Sequence, residues 1–72
     1  MSLMVQAYLV ERYGPRLDVE QLAAVLDLAP QTVRNQIAQG RCQVRTYIEG
    51  NRRWAAVEDV AEYFDRARKA AA

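Results

Sequence analysis

The chain has no histidine, one cysteine (Cys42) and one serine (Ser2) among its 72 residues. A lone cysteine rules out an intrachain disulfide. Without histidine beside it, no zinc set can be assembled. A reducing, cytoplasmic setting fits this usage. With only three glycines there is no glycine-rich phosphate loop, and no nucleophile–base pair is at hand. No enzymatic activity, metal or cofactor is therefore expected. No run approaches the ~20 apolar residues that span a bilayer, and no secretory signal is visible, so no membrane association is expected. Prolines number two, Pro15 and Pro30, and each marks a boundary.

What is present fits one small domain over residues 1–72, with apolar residues making up 51% and charged residues 26% of the chain. A core of this size is marginal, and a stabilising partner is a natural complement. Net charge is +1, but it is unevenly spread. From Pro30 to Trp54 five arginines (34, 41, 45, 52 and 53) face one acid, Glu49, a local +4. The remainder carries −3. One basic stretch in a near-neutral chain suggests a face directed at a polyanion.

Pro30 to Gly40 has the marks of a short helix. Proline suits the first helical position and holds Ala29 extended, while Gly40 can close the helix in the left-handed conformation. Val33 and Ile37 lie one turn apart on one side. The other side carries Gln31, Thr32, Arg34, Asn35 and Gln39. Arginine can fork onto guanine, and asparagine or glutamine onto adenine, in the major groove. Upstream, Leu17 and Asp18 are expected to open a helix. Asp18 and Gln21 have capping-box spacing, and Val19, Leu22, Ala23 and Leu26 form a single buried stripe. The three residues Asp27–Ala29 leave room only for a tight turn, so the pair is expected to be a helix-turn-helix with its second helix in the groove.

After Gly40, β-prone residues run from Arg41 to Ile48, and Gly50-Asn51 signals a two-residue hairpin turn. This register sets Glu49 opposite Arg52, Ile48 opposite Arg53 and Tyr47 opposite Trp54. The ribbon would then carry Arg52 and Arg53 at its tip and Arg45 on the incoming strand, placed to grip phosphates. Val57, Val60, Ala61, Phe64 and Ala67 mark a last helix; Glu58 and Asp59 suit its start, and Arg66, Arg68 and Lys69 its end. The first helix, Leu3 to Tyr13, is closed by Gly14 and Pro15. It is apolar on nearly every side, which predicts contact with a second subunit.

Residues 17–66 resemble the compact winged helix-turn-helix of the MerR and phage-excisionase superfamily. The matching features are Leu17-Asp18-Val19-Glu20-Gln21-Leu22-Ala23, Leu28-Ala29-Pro30-Gln31-Thr32-Val33, Ile37-Ala38-Gln39-Gly40, the tip Glu49-Gly50-Asn51-Arg52-Arg53, and Glu58-Asp59-Val60. The resemblance implies a winged helix-turn-helix core with a two-stranded antiparallel wing; with residues 1–14 as an extra N-terminal helix outside that core, the expected fold is mainly α, with four helices. The resemblance also implies groove contacts from Gln31, Thr32, Arg34 and Asn35, and wing contacts from Arg52 and Arg53; Asn51, beside them in the turn, is a further candidate DNA contact. Three positions depart from the pattern. Asp27 stands where glycine is frequent, Ala29 replaces a Ser or Thr cap, and Gln36 occupies a usually apolar site. Members are small bacterial, phage or mobile-element regulators of transcription or of site-specific excision. The long coiled coil and effector domain of the larger regulators have no counterpart in residues 1–72. The expected function is sequence-specific binding of double-stranded DNA. The alternative is a protein-interaction module docking on a recombinase, a polymerase subunit or other transcription machinery.

Overall fold

A computed structural model describes residues 3–71. Its elements in chain order are α1 (Leu3–Tyr13), β1 (Arg16–Asp18), α2 (Val19–Leu26), α3 (Pro30–Ala38), β2 (Tyr47–Glu49), β3 (Arg52–Ala56) and α4 (Val57–Ala71). Four helices thus surround a three-stranded antiparallel sheet in the order β1-β3-β2. All four predicted helices are present, with α2 beginning at Val19. Met1, Ser2 and Ala72 lie outside the described residues.

The helix ends follow local chemistry. Gly14, at φ +91, donates its N–H to the Val10 carbonyl at 2.8 Å and closes α1. At the start of α2 the Gln21 N–H donates to Asp18 Oδ1 at 2.8 Å, and the Asp18 N–H donates to Gln21 Oε1 at 3.1 Å. This reciprocal cap satisfies two backbone donors left over by the first turn. Asp27 leaves α2 at φ 59, ψ 43, the left-handed conformation that aspartate tolerates better than most side chains. Ala29 makes no side-chain cap, and Pro30 follows at the first turn of α3. Gly40 turns left-handed at φ +69, and the Arg41 N–H returns to the Gln36 carbonyl at 2.7 Å.

Two expectations about strands need correction. Asp18 caps α2 as expected, but Leu17 lies outside that helix, and both residues belong to β1, which pairs with β3 as Arg16↔Ala56, Leu17↔Ala55 and Asp18↔Trp54. The ribbon therefore has three strands, not two. Burial explains the extra strand: Leu17 is fully enclosed opposite buried Ala55, and the pairing supplies ladder partners along the free edge of β3. Secondly, the incoming strand is only Tyr47–Glu49, so Arg45 precedes it. Val44 turns inward and is buried in the core, and this draws residues 41–46 off the ladder. The predicted hairpin register holds at all three pairs, Tyr47↔Trp54, Ile48↔Arg53 and Glu49↔Arg52. Gly50 and Asn51 both have positive φ, at +63 and +65, as a turn matched to strand twist requires.

One cluster unites Leu9, Leu17, Leu22, Ala23, Val33, Val44, Ala55, Val57 and Val60. Every helix and two of the strands contribute to it. Val33 anchors α3 by burying its one fully enclosed side chain beside α2, which fixes the rotation of α3 and turns its polar flank outward.

Candidate nucleic-acid interface

Because Val33 points inward, helical spacing sends Gln31, Thr32, Arg34 and Asn35 to the outer side of α3, and all four are exposed. Gln31 Nε2 donates to Asn35 Oδ1 at 3.0 Å one turn on, so the two amides hold each other in place. Gln36 is half-buried at the flank's edge.

Arg34 opens onto a groove of about 530 Å³. Arg34, Ile37 and Ala38 form one wall and Asn51, Arg52 and Arg53 of the hairpin the other, with Asp18, Val19 and Glu20 at one end. Four of the predicted contact residues thus share a single concavity. Arg52 and Arg53 follow one another on β3 and so project to opposite faces of the strand. Arg53 Nη1 donates to Thr46 Oγ1 at 2.8 Å. On its other side Arg53 lines a small depression shared with Arg45, Thr46 and Gly40. Arg45 is therefore not on a strand, but it extends the same basic line. Neither Arg41 nor Arg45 forms an ion pair among the described residues.

The groove also holds two acids that its pattern of arginines did not foretell. Arg52 Nη2 lies 3.1 Å from Asp18 Oδ2, and Arg34 Nη2 lies 4.0 Å from Glu20 Oε1. Two of the groove's three arginines are thus paired with carboxylates, and Asp18 and Glu20 offset half of the +4 of the linear stretch. Asp18 does double duty: one oxygen caps α2 and the other holds the hairpin arginine. The capping-box spacing revealed the first role. The second depends on β1, which sets Asp18 diagonal to Arg52 across β3.

The solvent face of the sheet is knitted by the same kind of contact. The Arg16 guanidinium sits 3.9 Å from the centre of the Trp54 ring, and that of Arg52 lies 5.0 Å from it. Arg16 Nη1 also meets Glu49 Oε1 at 2.6 Å. Hydrogen bonding to Tyr47, and then to Glu49, raises the Arg16 pKa above its ordinary value. Trp54 Nε1 donates to the Glu49 carbonyl at 3.1 Å. Tyr47 and Trp54 are opposite in register as predicted, but it is arginines that stack on the indole. The alternation Asp18–Arg52–Trp54–Arg16–Glu49 links all three strands and holds the hairpin against α2.

Chemically, the arrangement offers fixed guanidinium and amide donors beside two carboxylates. No group of three or more potential metal ligands occurs among the described residues. Among them, too, no helix is long and apolar enough to cross a membrane. Comparison with known proteins yields no match: no family model, curated protein or solved structure aligns with the chain.

Proposed function

We propose that the chain is a sequence-specific double-stranded DNA-binding protein without catalytic activity. In this reading α2 and α3 form a helix-turn-helix, the sheet is the wing, and the whole is of the MerR and excisionase type that residues 17–66 resemble. The observation that carries the proposal is the shared groove, where Arg34 on α3 faces Asn51, Arg52 and Arg53 on the hairpin. Helix α3 would lie in the major groove, with Arg34 and Asn35 at base edges and Gln31 and Thr32 beside them. Arg45, Arg52 and Arg53 would meet phosphates, with Asn51 at the tip; such contacts position the protein without reading sequence.

The offsetting acids favour a second reading, a protein partner of mixed charge such as a recombinase or a component of the transcription machinery. Salt dependence separates the two. Each phosphate contact contributes about −0.9 to the slope of log K against log salt. Gel shift on mixed-sequence duplex at low and moderate salt is the test. Retardation at low salt with a steep slope, reduced by about 0.9 in Arg52→Ala, is expected. No retardation at low salt would refute DNA binding and leave the partner reading.

A further inference from the structure

We propose that α1 is a self-association surface, pairing with α1 of a second copy about a two-fold axis. Leu9 is buried at 2% exposure, and at 100° per residue the opposite side of the helix carries Leu3, Met4, Ala7, Tyr8, Val10 and Glu11. All six are exposed, and five are apolar. Leu3 is 77%, Met4 84% and Tyr8 59% exposed, although each is the kind of side chain that water disfavours. Beside this ridge runs a groove of about 580 Å³, lined by Val5, Tyr8, Tyr13, Val25 and Phe64 with Arg68 at its rim. Tyr8 belongs to both. A ridge and a recess side by side on one surface are what a two-fold axis makes mutually complementary, because each contact occurs twice.

Charge selects a second copy over other occupants. The ridge has one charge, Glu11, and the recess one, Arg68, whose exposed guanidinium reaches Asp65 of its own helix only at 3.7 Å; a two-fold pairing adds Glu11 of the other copy to that cation twice. A membrane-surface helix would instead carry several Lys and Arg beside its apolar face. Helix α1 has Arg12 alone. Area sets the strength. Leu3, Met4, Tyr8 and Val10 expose on the order of 500 Å², comparable to the largest patch of an ordinary monomer. Two such faces bring together roughly 1,000 Å², below the ~1,600 Å² of a standard interface. The pair is therefore weak and forms at high local concentration.

Sedimentation of the full chain from low micromolar to millimolar concentration tests this, with no nucleic acid present, so its outcome is independent of the groove. The mass should rise from one chain to two. The Leu3→Lys/Met4→Lys double variant, changed only at exposed positions, should stay at one chain with an unaltered thermal midpoint. Glu11→Arg and Arg68→Glu should each weaken association by about tenfold or more, and an equimolar mixture of the two should restore it. Three results would overturn the proposal: a single-chain mass at millimolar concentration, association unaffected by the double variant, or a mixture no stronger than its components. Binding to lipid vesicles by a chain that stays monomeric would overturn it as well.

Discussion

Asp18→Asn separates two roles that one side chain now fills. Asparagine is as good an N-cap as aspartate, so its Oδ1 can keep the Gln21 N–H seen at 2.8 Å. Its amide cannot hold Arg52, whose Nη2 now sits 3.1 Å from Oδ2. The Arg52 side chain is 61% exposed, and an ion pair so open to water contributes about 0.2–1 kcal/mol. In a domain of this size that lowers the thermal midpoint by at most about 8 °C. Asp18→Ala loses the cap too, costing about 1 kcal/mol more. The effect on DNA runs the other way. Removing the carboxylate releases Arg52 and deletes a charge that repels phosphate. Binding at low salt should tighten, and the log–log salt slope should steepen by a fraction of the ~0.9 that one full phosphate contact contributes. Trp54, the only tryptophan of the chain, lies 5.0 Å from the Arg52 guanidinium, so its fluorescence can follow the titration. The gain should be smaller in an Arg52→Ala background, where only the repulsion of phosphate by Asp18 remains to be relieved. Weaker binding by Asp18→Asn, or an equal gain without Arg52, would refute this account of the groove.

Arg34→Ala should weaken binding to the preferred site by ~1–3 kcal/mol and relax choice at one base position, measured by anisotropy on duplexes varied one base pair at a time. Glu20→Gln should leave the thermal midpoint nearly unchanged, since its contact with Arg34 is 4.0 Å long and exposed, while tightening binding to mixed-sequence duplex. Val33→Ala removes a fully buried side chain at about 0.8 kcal/mol per methylene equivalent, plus the cost of the cavity, or about 2 kcal/mol in all; urea unfolding measures it. Hydrogen bonding to Lys69 lowers the Asp65 pKa. The resulting stability is present above the ordinary aspartate value near 3.9 and is lost as pH falls through the lower folded value. Asp65→Asn should therefore lose stability at neutral pH and flatten the acid limb of a thermal-midpoint profile.

The helices were legible because their signals are local. Pro30, the Asp18–Gln21 box and Gly14 each act within one turn of the chain. The hairpin register followed from Gly50-Asn51 for the same reason. Strand β1 was not legible. Three residues show no dependable alternation, and Leu17 fits a helical stripe as well as a strand; only the distant edge of β3 decides between them. The six residues before β2 misled in the opposite sense. They have strand-forming side chains, but burial of Val44 in the core outweighs a longer ladder. At the site, sequence picked out Arg34, Asn51, Arg52 and Arg53, which the fold gathers. It missed Asp18 and Glu20 because charge was counted along the chain, and their opposition to arginine arises only when β1 and α2 come beside the hairpin.

In the proposed complex the outer flank of α3 and the tip of the hairpin face one nucleic acid together. Amide NMR of the labelled chain, titrated with short duplex DNA at low salt, tests it most directly. The largest shifts should fall on residues 31–35 and 51–53, with the Trp54 indole N–H moving in step. Shifts confined to α1 and α4, or none at saturating duplex, would contradict it.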